Sequence, residues 1–242
     1  MSNVKINGIV IAENNMGDYD KMLTILTPNY GKISCVAKGA RRPQSALLAG
    51  TQLFCFGEYM MYKGTNTYHI NSCETIEIFY NLRTDLDKLK YAIHINKIIQ
   101  DVTEENENCY KILQLFLNTL YTISETEKDK NFVLSVFKIR LLCILGFMPR
   151  VTKCISCKEK KELTKFSIRD NGFKCDSCGR QDKSSLDMSE STKSAILYTI
   201  SAPAKKLYSF NLKDDSLREF ELISKIYFNE KLEKEYKLED LF

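Results

Sequence analysis

The chain has 242 residues, 44% hydrophobic and 27% charged, ordinary figures for a globular protein of one large or two to three small domains. Thirty-five Lys and Arg against 31 Asp and Glu leave a net charge of +4, and no apolar run approaches the ~18–20 residues that span a bilayer. Nine cysteines, an odd number with no signal peptide ahead of them, argue against a fully paired secreted disulfide framework. The expectation is a cytoplasmic protein whose thiols serve burial, metal or redox chemistry.

The first eighty residues read as β. Val4–Ile11, Met22–Thr27, Lys32–Ala37, Leu53–Tyr62 and Tyr68–Ile78 are five strand candidates, separated by turn signals at Gly17-Asp18, Pro28–Gly31 and Lys63–Asn66. A longer insertion, Gly39–Gly50, lies between the third and fourth. Five short strands suit a small barrel, with the OB-fold as the first candidate and an SH3-like barrel close behind. After Tyr80 the period changes. Leu82, Leu86, Leu89 and Ile93 share a helical face, as do Cys109, Ile112, Leu113, Phe116, Leu117 and Leu120, and then Phe132, Val133, Val136, Phe137, Arg140 and Leu141. The third of these helices should stop at Gly146, ahead of Pro149. Two more are expected: one from near Ser189 to before Pro203, and one over Asp214–Glu235 with Leu217, Phe220, Ile223, Ile226 and Tyr227 inward. The fold class is α+β: an N-terminal five-stranded OB-fold barrel (1–80), then an α-helical domain (81–242) with a zinc ribbon inserted at 151–185.

That insertion is where charge and cysteine concentrate. Residues 1–80 and 81–150 each carry a net +1, 151–185 carry +4, and 186–242 carry −2. Cys154-x-x-Cys157 and Cys175-x-x-Cys178 stand 17 residues apart, a spacing typical of zinc sites built from two such pairs. Two intervening residues let one tight turn aim both sulfurs at a point, and a hairpin returns the second pair to complete a tetrahedron. Lys165–Ile168 and Gly172–Lys174 are the expected hairpin strands. Gly179 is placed to relieve the backbone after the second pair, whereas Lys158 occupies the equivalent place after the first. Four thiolates close the coordination shell, so the expected cofactor is one structural Zn²⁺ per chain, holding a segment with almost no apolar core of its own. A dithiol redox pair lacks its βαβ context, and iron–sulfur sites usually have other spacings. The remaining Cys35, Cys55, Cys73, Cys109 and Cys143 read as small buried hydrophobes.

Lys32 and Lys38 bracket the third strand, and Lys38-Gly39-Ala40-Arg41-Arg42 runs into the insertion. Cations beside a barrel groove contact phosphates, and Tyr19 and Tyr30 in neighbouring loops are candidates for stacking on bases. The competing reading is a solvated loop with tyrosines packed at the barrel rim. No phosphate-binding loop, nucleophile elbow, zinc-protease helix or dinucleotide fingerprint is present, so catalysis is not expected. His69 and His94 read as structural, and Asp18-Tyr19-Asp20 and Asp85-Leu86-Asp87 as turn and helix-start carboxylates rather than Mg²⁺ ligands.

Gly17–Thr27, Gly31-Lys32 and Lys38–Arg42, the helical stretch ending Leu145-Gly146-Phe147-x-Pro149, the cysteine pairs and the C-terminal helices together resemble the RecO family of bacterial recombination mediators. The resemblance covers essentially the whole chain, with Gln44 standing where another cation would be expected. It implies an OB-fold, a helical domain with a zinc site, and a DNA-repair protein that binds and anneals single- and double-stranded DNA. It further implies assistance, with the partner RecR, in loading RecA recombinase onto strands covered by single-strand-binding protein, and a cytoplasmic, nucleoid-associated location during repair. Lys38, Arg41 and Arg42 are the implied DNA contacts. The runner-up is a zinc-ribbon OB-fold RNA-binding or translation-associated factor. A ligase would need a K-x-D-G motif, which is absent, and a purely protein-binding adaptor is the third class.

Overall fold

The computed structural model describes residues 3–65 and 67–238, which fall into two compact units, Met1–Leu120 and Tyr121–Phe242. In the first unit, β1 (Asn3–Met16), β2 (Asp20–Thr27), β3 (Gly31–Ala37), β4 (Phe56–Lys63) and β5 (Tyr68–Glu77) form a barrel in the order β1-β2-β3-β5-β4. β1 is six residues longer than its alternating stretch Val4–Ile11 suggests, because it serves two partners. Its first half pairs with β4 (Asn3↔Tyr62 to Ile9↔Phe56), and its second half with β2 (Ile9↔Leu26 to Met16↔Asp20). A register shift between Val10 and Ala12 bends it from one partner to the other. β4 begins at Phe56 rather than Leu53, since Phe54 has a φ of 65° and pairs through its N–H with Val10 O. The inward side chains Ile6, Val10, Leu23, Ile25, Ile33, Cys35, Tyr59, Met61 and Ile70 fill the barrel.

α1 (Asn81–Thr84) and α2 (Leu86–Val102) are separate helices where the periodicity suggests one. Asp85 causes the break: its carboxylate accepts from the N–H groups of Asp87 (2.9 Å) and Lys88 (3.0 Å), capping α2. The expected face is therefore wrong in detail. Leu82 is buried but Leu86 is 78% exposed, and α2 instead buries Ala92, Ile95, Ile98 and Ile99. Asn96 and Gln100 both donate side-chain amides to Ile11 O (2.9 and 2.6 Å), the carbonyl left over at the β1 bulge, and so dock α2 on the barrel. The link from α2 to α3 (Tyr110–Glu125) packs on the β2–β3 turn. Lys32 N–H donates to Glu104 O, and a Cβ on Gly31, at φ +61°, would lie 1.9 Å from that same oxygen.

The second unit holds α4 (Lys130–Ile144), capped by Asp129 and ending just before Gly146. The ribbon follows: β6 (Leu163–Ser167), β7 (Gly172–Cys175), α5 (Asp176–Arg180) and β8 (Ser185–Asp187), with sheet order β7-β6-β8. The hairpin was expected; the third strand, short and polar, carries no period that would announce it. α6 (Glu190–Ser201) starts at the Ser189 cap, and α7 (Asp214–Leu232) buries Phe220, Ile223, Tyr227 and Phe228. Ile226, expected inward, is 36% exposed; Phe228, eight residues after Phe220, takes the inward position. No helix among the described residues is long and apolar enough to cross a membrane.

Candidate metal centre and basic barrel end

The four ribbon cysteines converge as their spacing predicts. Their sulfurs all lie within 4.8 Å of one another, and Cys157 Sγ to Cys175 Sγ is 3.6 Å. Tetrahedral thiolates at ~2.3 Å from one ion would stand roughly 3.8 Å apart. Among the described residues the set consists of these four thiols, and all nine cysteines are free of disulfides. The two knuckles are built differently. Cys154 and Cys157 sit in a loop that closes on itself through Lys158 N–H to Cys154 O (3.0 Å) and Cys154 N–H to Glu159 O (2.7 Å), with Lys158 at φ +68°. Cys175 instead caps α5 and Cys178 lies on it. Gly179 is therefore helical. Its missing side chain answers a different need, since a Cβ there would sit 2.4 Å from Lys165 Cγ.

Protonation is divided among the four thiols. Burial alone would raise Cys154, but backbone N–H groups of Cys175, Cys157 and Ser156 outweigh it and bring this thiol down to about 6. The bonds from Cys175 and Cys157 push Cys178 the other way, up to about 12. Four crowded sulfurs cannot all ionise without a cation among them, and a soft divalent ion removes the conflict. The cluster suits a metal ion held by thiolates.

Behind the knuckles lies a polar network that spacing did not reveal. Lys174 and Asp182, with side chains 4% and 3% exposed, pair at 2.8 Å. Asp182 also accepts from the hydroxyls of Ser167 (2.5 Å), Ser184 (2.7 Å) and Ser185 (3.2 Å), and Lys174 reaches Asp170 at 2.5 Å. Burial opposes the charge on Asp182, yet the Lys174, Ser167 and Ser184 bonds override it and hold the carboxyl well below the usual range. Phe166 and Phe173, both fully buried, meet edge to face at 6.1 Å, and Phe166 meets Tyr227 of α7 at 5.2 Å. The ribbon thus owns a small apolar core, contrary to expectation, and shares it with α7.

At the barrel, β2 separates the nucleic-acid candidates into two groups. Tyr19 precedes this eight-residue strand and Tyr30 follows it, so roughly 24 Å of strand lies between them. At the Tyr19 end, Arg41 donates its guanidinium to Gly17 O (3.3 Å) and Asp18 O (3.1 Å), and its N–H to Tyr19 O (2.9 Å). Gly39 N–H is held by Asp20 Oδ1 at 2.7 Å, so this carboxylate anchors the loop. The Arg42 guanidinium lies 5.3 Å over the centre of the half-exposed Tyr19 ring. Lys38, Arg41 and Arg42 are exposed, and among the described residues none makes an ion pair. At the other end, Lys32 Nζ is bound to Gln100 O near the C-terminus of α2 (2.8 Å), where a cation also meets the helix dipole, and Tyr30 is 47% exposed. Tyr19, Lys38, Arg41 and Arg42 form one patch; Tyr30 and Lys32 form another.

A five-stranded barrel with a cation-bearing loop, joined in one chain to helices and a ribbon whose four thiols suit a metal ion, defines a barrel-and-ribbon protein. Family comparison makes this specific. The model described as "Recombination protein O N terminal" matches residues 1–79, and that described as "Recombination protein O C terminal" matches residues 83–239. The chain belongs to the recombination protein O family. It is 43% identical to the "DNA repair protein RecO" of Acetivibrio thermocellus, over 98% of this chain and 94% of that one. Against proteins of the same name it is 33% identical in Alkaliphilus metalliredigens (84% and 83% covered) and 30% in a Thermoanaerobacter species (98% and 96%). A solved aspartyl-tRNA synthetase of Entamoeba histolytica overlaps at a TM-score of 0.21 and 10% identity, covering 60% of this chain and 33% of that one, and carries no argument.

Proposed function

We propose that this chain is a DNA repair and recombination mediator that binds DNA strands and anneals complementary ones. Family membership over nearly the whole chain supports the repair role, and the observation that carries the DNA contact is the Tyr19–Lys38–Arg41–Arg42 patch. Arg41 is fixed by backbone carbonyls and Arg42 by the Tyr19 ring, and Lys38, Arg41 and Arg42 have no carboxylate partners among the described residues, so their charge is available to phosphates, while Tyr19 offers a ring for a base. On this reading residues 1–80 are the nucleic-acid-binding domain, and residues 81–242 a helical domain with its ribbon at 151–185. Lys32 and Tyr30 extend the contact from the far end of the barrel. The action is apposition: neutralised phosphates let two strands approach and pair, with no bond chemistry by the protein.

The bound ion on this reading is one Zn²⁺ held by Cys154, Cys157, Cys175 and Cys178, structural because four thiolates leave no open position. The protein partners are those of the recombination machinery: RecR, single-strand-binding protein and, through them, RecA recombinase. Fluorescence transfer between complementary labelled oligonucleotides, without nucleotide, is expected to show annealing that the chain accelerates. Absence of acceleration at low salt would overturn the proposal.

A further inference from the structure

The segment that leads from α4 into the first knuckle borders a pocket of about 450 Å³, within the ~300–1,000 Å³ usual for small-ligand sites. Its wall is apolar, from Met148, Val151 and Ile200, and its rim is cationic, from Arg150, Lys153 and Lys158. The charges elsewhere in the ribbon are mostly spent: Lys165 pairs with Asp187, Arg169 and Lys174 with Asp170 and Asp182, and Arg180 with Asp176. Among the described residues none of the three rim cations has a carboxylate partner. Lys160 and Lys161 continue the row, so that five cations fall between residues 150 and 161 against the single carboxylate Glu159. Met148 remains 58% exposed beside them.

We infer that this pocket seats one unstacked base of a single-stranded nucleic acid, with Arg150, Lys153 and Lys158 on the flanking phosphates. The inference rests on the nucleic-acid-binding reading above and adds a second contact outside the barrel. An apolar wall bordered by cations without carboxylate partners complements a flat ring attached to an anion, with Arg150 and Lys158 positioned by the carbonyls of Asp170 (3.0 Å) and Ile155 (2.7 Å). An extended peptide has a poorer claim. The free edge it would need on β7 is already taken, since Phe173 N–H donates to Arg150 O and Ile155 N–H donates to Phe173 O.

The test uses the full metal-loaded chain and a single-stranded oligonucleotide carrying 5-iodouracil. Photo-crosslinks are expected within residues 148–155. Val151→Asn, which makes the apolar wall polar and leaves every charge, should lower those crosslinks by roughly tenfold, the loss of one base contact, with the salt slope of binding unchanged. Lys153→Ala with Lys158→Ala should lower that slope by about 1.4, two phosphates' worth. Crosslinks at the Tyr19 loop but none at 148–155 would overturn the pocket and leave the barrel reading standing. Failure to bind the oligonucleotide at all would overturn both. Displacement from the pocket by a short acidic–aromatic peptide, with crosslinks at 148–155 unaffected by Val151→Asn, would assign the pocket to a protein partner and overturn the inference.

Discussion

Asp182 shows how one residue can decide the state of an element. Its carboxylate is buried with Lys174 and three serine hydroxyls, so removing its charge leaves the buried Lys174 ammonium to Asp170 alone. Breaking a buried pair from one side costs ~3–5 kcal/mol, and because Asp170 remains beside Lys174 the lower figure applies. Asp182→Asn should therefore lose about 3 kcal/mol in denaturant unfolding at pH 7. The pH dependence follows from the direction of the shift. A carboxyl depressed in the folded state stabilises above its unfolded pKa of ~3.9, and that contribution disappears as pH falls toward the folded value. The stability gap between the wild type and Asp182→Asn should be full above about pH 5 and narrow as acid is added. A gap that widened in acid would contradict the pairing. Thiols are sorted by environment in the same way: burial pushes Cys35 up to about 12 and Cys109 and Cys143 up to about 11, which favours the neutral thiol at all three.

Among the elements, the ribbon on the proposed reading rests on an ion at its knuckles and on apolar contact at its hairpin. Chelation should therefore open it unevenly. Amide exchange is expected to accelerate at 154–159 and 175–180, where the loops close around sulfurs, while Phe166 on β6 stays protected by Phe173 and Tyr227. Uniform loss of protection across 151–185 would show that the ion alone holds the segment. At the barrel, Gly31→Ala should cost more than a surface change, because a methyl would meet Glu104 O at 1.9 Å in a backbone conformation that disfavours side chains; thermal unfolding should report a drop of several degrees. These contrasts explain what could be read in advance. The knuckles were legible because each cysteine pair is local and its spacing reflects the geometry of the ligands. Alternation marked the strands for the same reason: in β4, Gly57, Tyr59 and Met61 face inward by turns. The Asp182 network was not legible, since Lys174 and Ser167 lie 8 and 15 residues away with no rule relating them. Nor was the division of the basic residues by the length of β2, because adjacency of loops in sequence says little about which end of a barrel each occupies.

For the whole molecule, net charge is a poor guide to DNA affinity. Four thiolates around one divalent ion, as proposed, would subtract two charges and leave the formal +4 chain at about +2. Screening over ~8 Å at physiological salt confines each charge to its neighbourhood, so location matters more than the total. This separates two explanations of binding. If net charge drives it, any two cations removed should weaken it equally. If contacts at fixed places drive it, Arg41 and Arg42 matter more than cations outside any contact, since Gly17, Asp18 and Tyr19 hold them in place. Arg41→Ala with Arg42→Ala should lower the salt slope for single strands by about 1.4, from two lost phosphate contacts, and slow annealing. Lys205→Ala with Lys206→Ala removes the same charge from an exposed turn after α6 and should leave the slope unchanged. The comparison is made by titrating one labelled oligonucleotide at several salt concentrations against the wild type and both pairs. Equal slopes for the two altered proteins would assign binding to the overall field and remove the barrel patch from the mechanism.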